Sequence, residues 1–78
     1  MPETKELTFG QKAVGLTFNP SGHPDVHDCK LMFAAVIDQM NELRLGSDDP
    51  EVKRMTAVAI TNAQTAQMWA VKALTWGV

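Results

Sequence analysis

The sequence predicts an all-α fold: a short N-terminal helix followed by an antiparallel two-helix hairpin, assembled into an oligomeric helical bundle. Three observations point there. Two long stretches, 24–45 and 50–76, each open on a proline and then run without an internal helix breaker. A connection of four residues separates them, and two long helices joined so closely must lie antiparallel. Seventeen consecutive residues of the second stretch carry no charge, more than one partner helix can cover.

The elements follow in order. Residues 1 to 7 are polar and aperiodic and are expected to fray or fold over a neighbour. Thr8 and Gln11 have capping-box spacing, which starts a short helix from Phe9 to about Val14, ended by Gly15. Leu16 to Gly22, with its Asn-Pro and Ser-Gly pairs, reads as an ordered turn. Pro24 then opens the first long helix, with Asp25 and Asp28 placed where the helix dipole favours acids. Val26, Cys29, Phe33, Val36, Ile37, Met40 and Leu43 recur with helical period, and Gly46 stops a rod of ~33 Å. Asp49 before Pro50 reads as an N-cap, and the second long helix extends ~40 Å to Trp76. All of this makes one domain over residues 1–78.

Composition narrows the function. A chain of 78 residues buries only roughly 60% of its unfolded surface, so a monomeric core is marginal. The one cysteine excludes an intrachain disulfide, which leaves self-association as the expected remedy. A net charge of −2 excludes a non-specific binder of DNA or RNA, which needs a basic face. No secretory signal pattern is seen, so the expected location is the cytoplasm.

The uncharged run 55–71 is the informative segment. Thr61, Asn62, Gln64, Thr65 and Gln67 make it too polar for a membrane span. Alanines 59, 63, 66, 70 and 73 form a small-residue stripe that admits another backbone, with Met55, Met68, Trp69 and Trp76 filling gaps between subunits. Its buried polar side chains must cross-bond between subunits or meet a polar ligand.

Several candidate sites fall away. Gly10 and Gly15 have P-loop spacing, but Leu16 stands where the lysine must be. His23 and His27 are four apart, yet a zinc enzyme there lacks a third ligand, and exposed imidazoles at an acidic helix start explain them as well. Cys29 lies on the apolar stripe as a small hydrophobe. No nucleophile–base constellation is present, so no catalysis, cofactor or metal is expected.

Lys30 is different. It lies one turn beyond the FNPSG segment, where it can snorkel, pair with an acid, or face phosphates held by the turn's backbone N–H groups up to Gly22. In that last case Phe18 can stack on a base while Asn19 and Ser21 supply hydrogen bonds.

The segments LTFGQKAVGLTFNPSG, IDQMNELR and AITNAQTAQMWAVKALTW together resemble the small phage proteins of the anti-CBASS and anti-Thoeris hairpin group, over roughly residues 7 to 76. The resemblance implies a sponge that sequesters nucleotide signals made by bacterial immune enzymes. It implies a homo-oligomer, often a hexamer, that holds cyclic di- or trinucleotides or cyclic ADP-ribose variants without cleaving them in the host cytoplasm. The family's phosphate-contacting lysine matches Lys30. Its base-stacking aromatic falls in register near Gly15, and Phe18 is the nearest substitute. Thr61 and Gln64 match family positions on the second long helix. A hairpin oligomer that docks on a protein partner is the alternative from another class.

Overall fold

A computed structural model describes residues 6–77. It contains three helices: α1 (Phe9–Ala13), α2 (Pro24–Gly46) and α3 (Pro50–Leu74). The described residues contain no strand. The expectation of a fraying segment at 1 to 7 falls mainly on residues 1–5, outside the described residues. Leu7 is half-buried against the core.

Each helix is started by a local signal. In α1 both halves of the capping box form: Thr8 Oγ1 accepts from Gln11 N, and Gln11 Oε1 accepts from Thr8 N, each at 3.0 Å. Its end is a Schellman motif, with Leu16 N–H donating to Gln11 O and Gly15 N–H to Lys12 O. Gly15 supplies the left-handed residue that this motif requires, at φ +62°. Before α2, the N-cap is His23, whose Nδ1 accepts from Asp25 N at 3.1 Å. Before α3, Asp49 Oδ1 accepts from Glu51 N at 2.9 Å. On the first turn of α3, Arg54 pairs with Glu51 and holds that carboxyl below its ordinary range, an exposed pair of little energetic consequence. α3 stops at Leu74, two residues before Trp76, where Thr75 turns its hydroxyl back onto Val71 O at 2.8 Å.

The core sits where α1 and its following turn close over the middle of the hairpin. Val14, Leu16, Ala34, Ile37 and Ile60 are buried together, with Phe33, Met40 and Ala63 packed around them. α1 docks very closely on α2. Gly10 N donates to Asp38 Oδ1 at 2.6 Å, and a Cβ on Gly10 would lie 2.2 Å from Ala34 O. From the other side, Gln64 Nε2 donates to Ala13 O at 3.2 Å, using one of the carbonyls that a helix end leaves without a partner.

The apolar stripe expected on α2 divides in two. Val26, Cys29 and Ile37 are buried, whereas Val36 and Leu43 are exposed beside Met32. α3 likewise has two apolar lines. One is buried or half-buried at Thr56, Ile60, Ala63, Gln67 and Val71. The other, Met55, Val58, Ala66, Trp69, Ala73 and Trp76, is exposed at the same helical spacing. The thinnest dimension is 12 Å, a single layer of helices. Such a layer cannot cover both faces of α3.

Candidate functional site

Lys30 organises the region between α1 and α2. It is 5% exposed, although a lysine is almost never so buried without compensation. Its Nζ donates to Gly15 O at 2.9 Å and to Phe18 O at 2.5 Å, clamping the turn that leaves α1. An ammonium has three N–H donors, so one is left over. The ion pair found among the described residues is that of Arg54 with Glu51, and no carboxylate among them reaches Lys30. Phe18 lies over the ammonium with its ring centroid 5.6 Å from Nζ, and the ring is 72% exposed.

The FNPSG turn is wired internally. Gly22 N–H donates to Asn19 O at 3.0 Å, closing a β-turn with Asn at the first position, Pro20 at the second and Gly22 at the fourth. Asn19 Nδ2 donates to His23 O, and Asn19 Oδ1 accepts from Ser21 Oγ, which also accepts from His23 N. The polar groups of Asn19 and Ser21 therefore hold the turn against the start of α2.

Two concavities open on either side of the Phe18–Lys30 pair. One, of about 220 Å³, is lined by Asn19, Pro20, Ser21, Val26, Val71 and Thr75 in addition to that pair. The other, of about 530 Å³, lies on the α1 side and adds Lys12, Gly15, Gln67, Met68 and Val71. Lys12 and Lys30 are its only charged lining residues among those described, which makes that lining electropositive in a chain of net charge −2.

Phe18, Asn19, Ser21 and Lys30 are thus brought together, and Gly22 lies in the same turn without lining either concavity. Gln64 is committed to the end of α1, and Thr61 is exposed on α3 away from the others. Within the uncharged run, Thr56 and Thr65 satisfy their hydroxyls on carbonyls of their own helix. Sequence reasoning missed Lys12 and named Gln67 only among the polar side chains of the uncharged run. Gln67 had a signal: the steps 56, 60, 63, 67, 71 trace the core-facing line of α3, and position 67 interrupts it with an amide. His23 is occupied as an N-cap and His27 is exposed. Among the described residues no three His, Cys, Asp or Glu side chains come together as a metal site. No helix among the described residues is long and apolar enough to cross a membrane.

No curated protein and no solved structure matches the chain. A family model does, over residues 11–75, from inside α1 to the residue after α3. Its description is Acb2/Tad1, hairpin domain, and that family is known for sponges that take up the cyclic nucleotide signals of bacterial immunity. With most of its length matched and a helical hairpin as its fold, the chain belongs to the Acb2/Tad1 hairpin family.

Proposed function

We propose that this protein binds a cyclic di- or trinucleotide, or a cyclic ADP-ribose variant, in the host cytoplasm and withholds it from CBASS- or Thoeris-type defence without cleaving it. The observation that carries the reading is Lys30: a buried ammonium with one N–H to spare and no acid beside it among the described residues, under an exposed aromatic ring. A buried cation without a counter-ion is destabilising, and a phosphate provides the missing charge. Phe18 is then the face on which a base stacks. Asn19, Ser21 and Gly22 act by holding that ring in place, and Lys12 offers a second cation for a second phosphate. Thr61 and Gln64 belong to contacts with a further subunit and with α1.

The working form in this reading is a homo-oligomer, of hexameric order as in the family resemblance. The exposed line from Met55 to Trp76 supports self-association, because its alanines at 66 and 73 admit a second backbone. It also supports pockets completed between subunits, since both concavities are open on one chain.

Titration calorimetry against a panel of cyclic di- and trinucleotides and cyclic ADP-ribose isomers tests the proposal, with Lys30→Met as the comparison. Methionine keeps the buried stem and removes the charge, so affinity is expected to fall roughly tenfold to a hundredfold. Bound ligand should be recovered intact by chromatography after heat denaturation. Equal affinity in wild type and Lys30→Met, or a time-dependent product, would overturn it.

A further inference from the structure

Along α3 and just past its end, Met55, Ala59, Asn62, Ala66, Trp69, Ala73 and Trp76 recur at alternating steps of four and three. That is the spacing of the two seam positions of a coiled coil. Alanine stands at every second place, with a larger side chain between. Apart from half-buried Ala59, all seven are exposed, and they lie apart from Thr56, Ile60 and Gln67, which pack inward. From Met55 to Trp76 the seam is ~31 Å long. Its two exposed indoles offer ~300 Å² between them, over a third of the ~800 Å² that a stable interface takes from one partner.

We propose that this seam is covered by the same seam of a second copy, running antiparallel about a two-fold axis between Asn62 and Ala66. The inference rests on the self-association reading above and names the paired surface and its register. In a parallel pair like faces like: alanine layers leave voids, and indole layers are crowded. Antiparallel pairing sets each alanine against a larger side chain, so that the layers interdigitate. About this axis Met55 faces the partner's Ala73, Ala59 faces the partner's Trp69, and Asn62 faces the partner's Ala66. The two Asn62 amides then lie about one helical turn apart across the axis, where each can donate to the other. Slipping one heptad towards the C-terminus separates them by about three turns. Slipping one heptad the other way carries Ala73 and Trp76 past the partner's Pro50, where α3 begins. A polar residue in an apolar seam thus fixes the register. In that register Trp76 reaches the partner's Val52. On each chain Val52 lines, with Met40, Leu43 and Met55, an apolar hollow of about 310 Å³ between α2 and α3, which an indole can enter.

The test is disulfide mapping of the full chain. Met55→Cys and Ala73→Cys chains, each substituted at an exposed position, are mixed and oxidised, and the bonded peptides are identified by mass spectrometry. Cys29 is buried and stays in both chains. The expected product is the mixed bond between positions 55 and 73. Like positions should scarcely bond, because they lie about eighteen residues, or ~27 Å, apart along the seam. A second variant, Asn62→Asp, sets two carboxylates across the axis. It should weaken self-association by roughly tenfold or more at neutral pH and recover in acid as the carboxyls are protonated, with its helix content unchanged by circular dichroism. Bonds between like positions would mean a parallel pair, and no bond in an oligomeric sample would mean another interface. Either result overturns the proposal, as does an Asn62→Asp chain that associates like wild type, and each leaves sequestration by an oligomer standing. A wild type that is monomeric by light scattering overturns the pairing and the oligomeric reading together.

Discussion

A methyl group added at Gly10 would lie 2.2 Å from Ala34 O and 2.9 Å from Asp38 Oδ1, and the nearer obstacle is backbone that cannot swing aside. Gly10→Ala is therefore expected to destabilise the fold by about 1–3 kcal/mol, the cost of overpacking a close contact, despite alanine's better helix propensity. Urea denaturation followed by circular dichroism measures this, and a stabilised variant would show that α1 does not sit against α2 as described. What the sequence disclosed at this scale was local. The cap at Thr8 and Gln11, the cap at Asp49 and the turn at Asn19–Gly22 involve residues at most three apart, and each forms. Gly10 looked only like a weakness in a short helix. Its reason lies at Ala34 and Asp38, more than twenty residues away, where no local pattern reaches. Lys30 was legible as unusual and not as buried, because its compensation comes from two backbone carbonyls that carry no side-chain signature.

α1 is five residues long, too short to persist without tertiary support. Its attachments are the Asp38 carboxylate at one end, the Gln64 amide at the other and the apolar contacts of Val14 and Leu16. Asp38→Ala removes a hydrogen bond with a charged acceptor, of about 1.5–3 kcal/mol, and leaves the α2–α3 contact untouched. Hydrogen exchange should then show the amides of residues 9–16 opening first while the centres of α2 and α3 stay protected. Uniform loss of protection would mean that α1 and the hairpin are one cooperative unit. The order and starts of the long helices were readable because Pro24 and Pro50 open them, whereas their ends were not, since α2 includes Gly46 and α3 stops at Leu74, ahead of Gly77. The division of each into a covered and an open line was not, because periodicity reports that a residue faces something apolar without saying which neighbour it is. Val36 and Leu43 fitted the α2 stripe by spacing yet lie on its open side.

At the scale of the molecule, a single layer of helices leaves Ala66 exposed. That makes Ala66→Glu a clean discriminator. In an isolated chain the carboxylate would meet water, with a stability change within about 0.5 kcal/mol. At a close helix contact between subunits it would be buried without a partner, and the assembly should dissociate into folded hairpins. Light scattering coupled to size exclusion separates the outcomes. Unchanged mass in the variant removes this line of α3 from the interface, and a monomeric wild type at micromolar concentration removes the oligomer altogether.

The placement of the two tryptophans gives the protein its own optical reporter. With no tyrosine in the chain, near-ultraviolet fluorescence comes essentially from Trp69 and Trp76, which are 68% and 77% exposed. Both indoles are already in water in the folded hairpin, so folding of one chain should scarcely change their colour. Covering them should shift the emission to the blue. A dilution series read at constant excitation should then show a red shift as subunits separate, while the helical circular dichroism signal is still present. If colour and helix content change together at every dilution, the hairpin has no folded existence apart from its assembly, and the indoles would report folding and association as one event.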